Sequence, residues 1–492
     1  MRQSDMTGRI KEFGSHNNLI ICSNRAPFVF SEKNGSISKK RSGGGLVSAF
    51  MSIKDIEFTW YALAQNETEK NIGLKGVKAD NITIKFVSVT DAQYNDYYNK
   101  ICNKVLWYTQ HDLWDNVYDP AFDLDFYGAW KNYRLVNKKF AEALKEEDGN
   151  DKPSYIMIQD YHLYLLPQYL RQMGNESMVD LFVHIPWPGL SSWDIVPDFA
   201  VKEILKSILN CDVTSFHCQQ YAQNFGASIN RYLGLSSENE TFVFKGRKTK
   251  IKYFPISIDA SELTKVKNEP LFKKSVSDIK ESTKGKLIVR VDRADLSKNI
   301  FRGFLAYKAL LEKRKDLIGK VTFLAMLYPT RTKISDYREY VQKIRSLTDR
   351  INAKFATKSW QPIIIRFKDN YLQSIAALSI YDILLVNPIA DGMNLVAKEG
   401  PVVNEKDGVL ILSRLCGAHN ELGGFALSIN PFDVAQTAAA LEKALELSKE
   451  DRVNRSNCLK TIVEHNNTRK WLYYNIMAME AAADEKKESI TA

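Results

Sequence analysis

Short apolar runs that alternate with longer segments of helical spacing constrain this chain more than any other feature. Leu19 to Ser23, Ile82 to Val87, Tyr155 to Gln159 and Leu181 to Val183 read as buried strands in the first half. Lys286 to Val291, Val321 to Leu327, Ile363 to Phe367, Ile383 to Val386 and Val409 to Leu412 repeat the theme in the second. Strands alternating with helices make parallel sheets covered on both faces, so the fold class is α/β and doubly wound. At 492 residues the chain is too long for one core and divides most simply into two such domains. The pattern breaks near Phe254-Pro255-Ile256-Ser257-Ile258-Asp259, ahead of a lysine-rich stretch, and the boundary is placed there. This gives a polar N-terminal extension at 1–17, domains at 18–255 and 256–480, and a small, charged tail at 481–492 that is expected to fray.

Composition removes several classes. No apolar run is long enough to cross a bilayer, and Met1 to Asn18 lacks the apolar core of a signal peptide, so a soluble cytoplasmic protein with no membrane partner is expected. The six cysteines, Cys22, Cys102, Cys211, Cys218, Cys416 and Cys458, have no close pairs, which argues against a disulfide framework or a zinc ribbon. A net charge of +10 would suit a nucleic-acid binder, but the lysines are scattered in short groups such as Lys39-Lys40-Arg41 and Lys138-Lys139. Such groups mark solvated faces; nucleic acid is not expected, and a mild basic excess also suits an enzyme with anionic substrates.

The candidate chemistry sits where strands end. Asp391-Gly392-Met393-Asn394-Leu395-Val396-Ala397-Lys398-Glu399 is an acidic turn between the strand ending near Val386 and a helix expected from Asn394 onward. Helix-start amides favour an anion and the carboxylates of Asp391 or Glu399 accept from hydroxyls, a combination suited to a nucleotide sugar. Arg293 and Lys298, just past Lys286 to Val291, can neutralise a diphosphate and the charge that grows as it leaves, without a metal. Gly43-Gly44-Gly45 ahead of a helix would let backbone approach a phosphate, although an isolated glycine turn is a weak signal. Asp160-Tyr161-His162 and His184-Ile185-Pro186 follow successive strands and share a rim if those strands lie in one parallel sheet. The dense run Tyr94, Tyr97, Tyr98, Trp107, Tyr108, Trp114 and Tyr118 reads first as core, with sugar stacking as the minority reading. Arg331 in Tyr328-Pro329-Thr330-Arg331 is a last cation, equally readable as a loop charge. No H-x-x-x-H or C-x-x-C spacing occurs, so no metal site is expected.

In collinear order, Ser23-Asn24-Arg25, Gly43-Gly44-Gly45-Leu46, Tyr97-Tyr98-Asn99, Val105-Leu106-Trp107, Asp160-Tyr161-His162, His184-Ile185-Pro186, Arg293 with Lys298, Arg331 and the Asp391 to Glu399 stretch resemble the trehalose-6-phosphate synthases. That family consists of retaining glycosyltransferases of GT-B type, with two Rossmann-like domains and the active site in the cleft between them. The resemblance runs from Asn18 to about Tyr474. It implies transfer of glucose from a nucleoside diphosphate glucose, UDP foremost, to glucose 6-phosphate, with no cofactor. It implies that Arg293 and Lys298 hold the donor diphosphate, Glu399 the ribose, and the amides near Asn394, Leu395 and Val396 the phosphate. Gly44 and Gly45 would close over the donor, while Asp391 and His184 grip its sugar. Arg25, Tyr98 and Arg331 would bind the acceptor phosphate, with Trp107 and Asp160 against its sugar ring. Trp60-Tyr61-Ala62-Leu63 departs from the family's W-x-G-W-like segment, with Leu63 in place of a ring. The second half is also similar to the branch that makes validoxylamine phosphate, and the last helix of the second domain is expected to return to the first. Another phosphorylated acceptor, such as a cyclitol or glycerol phosphate, and a non-catalytic sugar-phosphate sensor stay open, as do the donor base and self-association.

Overall fold

The computed structural model describes residues 3–33, 35–42, 45–51, 54–147 and 152–491. The chain separates into two units, residues 1–256 with 468–492, and residues 257–467.

The first unit is built on a nine-stranded sheet. Its order is Thr241–Phe244, Arg247–Tyr253, Val213–Phe216, Met178–Phe182, Ser154–Gln159, Asn18–Cys22, Phe58–Leu63, Ile82–Val87, Val77–Ala79. The seven inner strands run parallel, and a short antiparallel strand closes each edge. Counting the parallel strands along the chain gives the spatial order 7-6-5-4-1-2-3. The winding direction therefore reverses between Asn18–Cys22 and Ser154–Gln159, and the loops after those two strands flank a crevice. The central strands are apolar throughout because helices cover both faces: Ile20, Ile21, Ile156, Met157 and Ile158 are buried.

Two stretches differ from the sequence reading. The polar extension contains the helix Gln3–His16, whose Met6, Ile10 and Phe13 fall on one face and are buried, with Phe13 edge-on to Tyr155 at 4.9 Å. The expected frayed tail continues the helix Thr468–Thr491, in which Ala482 and Ala483 are still buried. The many polar residues lower the mean hydropathy of such a segment without weakening the face that its three apolar residues bury. The returning helix brings Trp471 against Phe50 and Phe182, at 5.4 and 5.3 Å between centroids. The expected hairpin is present as Phe28–Lys33 paired antiparallel with Ser36–Arg41; Asn34 at its tip, like Gly43 and Gly44, lies outside the described residues.

The second unit carries six parallel strands in the order Ile363–Phe367, Val321–Tyr328, Lys286–Arg293, Ile383–Val386, Val409–Ser413, Leu427–Ile429. In chain order this is 3-2-1-4-5-6, the dinucleotide-fold arrangement, with its reversal between Lys286–Arg293 and Ile383–Val386. One core cluster, including Ile288, Phe304, Tyr307, Phe323, Leu385 and Ile411, holds helices against the sheet.

Candidate functional site

Both reversal points carry the residues singled out from the sequence. In the second unit the strand Lys286–Arg293 runs two residues further than expected, so half-buried Arg293 stands at its carboxyl end. A short turn, Leu296–Lys298, follows, held by Asp295, whose Oδ1 accepts from the amide and hydroxyl of Ser297, both at 3.1 Å. The turn delivers Lys298 to the loop after Ile383–Val386, where its ammonium pairs with Asp391 Oδ2. Burial opposes the lysine charge, but Asp391 and Asp292 outweigh it and hold the ammonium above its usual value. Asn394 donates from Nδ2 to the same Asp391 oxygen at 2.9 Å, while its Oδ1 accepts from the amide of Ala397 at 3.1 Å.

Asn394 thus precedes the helix instead of opening it: its φ is +82°, and the helix is Val396–Val403 with Leu395 at its N-cap position. Asn tolerates that conformation better than most residues, and its short side chain repays the strain by satisfying a first-turn amide. The loop is also tied from behind. Gly417 donates to the Asp391 carbonyl at 2.9 Å, Ala418 to that of Met393 at 2.9 Å, and buried Lys398 pairs with Glu421 at 2.6 Å. Lys398 is therefore turned into the unit as an anchor. Glu399, partly exposed, has its carboxyl raised by burial to about 7.

In the first unit Ser23-Asn24-Arg25 leaves the strand Asn18–Cys22 under tight control. Ser23 Oγ accepts from Trp60 Nε1 at 2.8 Å and donates to the Arg25 carbonyl at 2.8 Å; Tyr97 donates to Asn24 Oδ1 at 3.2 Å. With its neighbours pinned, Arg25 projects outward and donates to the Tyr98 hydroxyl at 3.1 Å. Tyr98 stacks on Tyr94 and His162, at 5.0 and 5.9 Å. It lies on Asn95–Leu106, wound as a π-helix, which runs on into Trp107–Gln110 and so also places Trp107, stacked on His111 at 3.9 Å. Wide helical turns of this kind concentrate at functional sites. Asp160, beyond Ser154–Gln159, has φ +74° and ψ 174°, a region that costs an L-residue on the order of 1–3 kcal/mol and persists where function holds it. Its Oδ1 accepts from the His184 amide at 3.1 Å, which links the two strand ends as a shared rim.

Arg25, Tyr98, Trp107, Asp160 and His184 belong to the first unit; Arg293, Lys298, Asp391, Asn394, Leu395, Val396, Glu399 and also Arg331 belong to the second. Arg331, at φ +47°, has a buried side chain paired with fully buried Asp295. Gly45 opens the helix Gly45–Met51. Leu63 is fully buried. Asp295, Asn24 and Glu421 were not assigned roles from sequence, since nothing local to each names its partner. Among the described residues no cluster of three or more His, Cys, Asp or Glu is arranged to hold a metal ion, and no helix is long and apolar enough to cross a membrane.

Two Rossmann-like units, each with polar and cationic side chains gathered where its strand order reverses, define a glycosyltransferase of GT-B architecture. Glycosyltransferase family 20 matches residues 17–481, and the chain belongs to that family. It is 31% identical to the UDP-forming α,α-trehalose-phosphate synthase of Schizosaccharomyces pombe over 92% of this chain and 88% of that one. It is 32% identical to UDP-forming α,α-trehalose-phosphate synthase 1 of Arabidopsis thaliana over 89% of this chain, and spans only 47% of that relative's length. The crystal structure of the UDP-forming α,α-trehalose-phosphate synthase of Burkholderia xenovorans in complex with glucose-6-phosphate superposes with a TM-score of 0.84 at 27% identity, covering 94% of this chain and all of that one.

Proposed function

We propose that this protein is an α,α-trehalose-phosphate synthase, which transfers glucose from UDP-glucose to the anomeric oxygen of glucose 6-phosphate with retention of configuration. The observation that carries this reading is the bonded set Lys298, Asp391 and Asn394 at the reversal point of the second unit. Lys298 and Arg293 offer cations to a diphosphate, the helix start offers amides, and Asp391 is a carboxylate that accepts from sugar hydroxyls. Glu399 meets the ribose as a carboxylate. In the first unit Arg25 and Tyr98 take the acceptor phosphate, with Trp107 and Asp160 beside its sugar. Arg331, whose guanidinium pairs with Asp295 in the second unit, is assigned to that phosphate by the family resemblance.

In the reaction the donor's C1–oxygen bond to the β-phosphate breaks while the acceptor's anomeric oxygen bonds to C1 on the same face. The acceptor proton passes to the departing phosphate oxygen, and UDP leaves. What the protein supplies is placement and stabilisation of charge on the leaving group. The test is an assay of UDP release with glucose 6-phosphate, free glucose and a cyclitol phosphate offered in turn, with the product's anomeric couplings read by NMR. Trehalose 6-phosphate, with no transfer to free glucose, is expected. Turnover of a cyclitol phosphate alone would replace the synthase reading, and binding of glucose 6-phosphate without turnover would mark a sensor.

A further inference from the structure

Beneath the donor-sugar residue His184 lies a hydrogen-bonded row that the proposed mechanism does not use. The backbone amide of Ile256 donates to His217 Nδ1 at 3.3 Å. His217 Nε2 lies 3.2 Å from His184 Nδ1, and His184 Nε2 lies 2.8 Å from Gln159 Oε1. Resting on the assignment of His184 to the donor sugar, we infer that His217 and Gln159 are positioning residues that fix His184 as the neutral tautomer protonated on Nε2, so that its ring stays uncharged beside the sugar.

The proton positions follow by elimination. A ring nitrogen that accepts a backbone N–H carries no proton, so the His217 proton is on Nε2 and points at His184 Nδ1. That nitrogen must accept, which leaves the His184 proton on Nε2, facing the Gln159 oxygen. Turning the Gln159 amide over would set its NH2 against a ring N–H. In the orientation present, Gln159 Nε2 has no partner although the residue is fully buried. A native core tolerates such a group only where the alternative is worse. An imidazolium at His184 would need two acceptors, and Nδ1 faces a donor. Burial, with the Phe182 ring 4.6 Å from His184 and 4.9 Å from His217, acts in the same direction and lowers the His184 value to about 3. The consequence for catalysis is electrostatic. A glycosyl centre gains positive charge as its leaving group departs, and an uncharged ring beside the donor sugar does not oppose that charge.

The test combines 15N NMR of the histidine rings with kinetics of His217→Leu, which removes both bonds, and His217→Gln, which keeps an acceptor for Ile256 and a donor for His184. The wild-type His184 ring is expected to report a proton on Nε2 alone at neutral pH. His217→Leu should mix the tautomers and lower kcat by about tenfold or more, with the KM for glucose 6-phosphate unchanged. His217→Gln should recover most of that loss. A proton on Nδ1, or an imidazolium, in the wild type would overturn the tautomer whatever the enzyme's reaction. Equal loss in both His217 variants, or normal turnover in His217→Leu, would overturn the positioning role. Normal turnover in His184→Ala would overturn that role through the site assignment beneath it, and the NMR result would distinguish the two failures.

Discussion

The residues at the strand ends act through pairings that also set their charge states. Glu399 is raised to about 7 by burial, so on the proposed reading it meets the ribose as a carboxylate only as pH rises through that value. The KM for UDP-glucose is therefore expected to fall from about one unit below to about one unit above it, and Glu399→Gln should flatten that dependence. A profile unchanged by the substitution would remove Glu399 from the donor site. On the proposed reading Lys298 neutralises charge that grows on the leaving diphosphate, so Lys298→Ala should lower kcat by on the order of a hundredfold. Near-normal turnover would remove that role. Arg25→Ala should raise the KM for glucose 6-phosphate, by roughly 2 kcal/mol in binding terms, far more than that for the donor. Steady-state kinetics with each substrate varied in turn decides this, and an equal rise in both would reject the assignment. These residues were legible because each sits within a distinctive local run just past an apolar strand. Their partners were not: Asp295 is 36 residues from Arg331, and Asp391 is 93 from Lys298. A pairing over such separations exists only once the sheet order is known.

At the scale of elements, alternation of apolar runs revealed most of the strands, while edge and polar elements escaped. Phe58–Leu63 and Val213–Phe216 lie within the first sheet, yet neither was assigned; Trp60, Tyr61 and Thr214 are fully buried there, and only their neighbours make them so. The loop after Ile383–Val386 depends on a glycine outside it. A Cβ on Gly417 would lie 1.9 Å from the Gly392 carbonyl oxygen, so Gly417→Ala should displace Asp391 and abolish most activity while the global melt shifts little. A fully active variant would show that the loop yields freely. The strand Met178–Phe182 carries a second pH-sensitive group, Asp180, fully buried and raised by that burial to about 8, with Ser215 donating to it at 3.0 Å. Since its folded value exceeds its unfolded one, the stability tied to this proton is full below the usual aspartate range and is lost as pH rises toward 8. Asp180→Asn should accordingly melt higher than wild type at mildly alkaline pH and gain less at acid pH. Calorimetry across that range checks the sign, and a gain confined to acid pH would reverse it.

At the scale of the molecule, the first unit is discontinuous in sequence, because residues 468–492 return to it after the whole second unit. Trp471, Leu472, Ile476 and Met479 are buried in the returning helix, and Trp471 covers both Phe50 and Phe182. Removing residues 468–492 is expected to abolish cooperative melting of the first unit and expose apolar surface to a hydrophobic dye. An unaltered melt would make the helix an accessory. The two-domain plan could be anticipated from length and strand alternation, and the reversal points only from the strand order. The returning helix also fixes a schedule. On a ribosome the residues that complete the first unit emerge only after its sheet and every strand of the second unit have left the tunnel. A nascent chain therefore carries its Phe50 and Phe182 surface uncovered until that helix arrives, and a message truncated ahead of it yields a product that folding helpers and proteases can recognise by that missing seam alone.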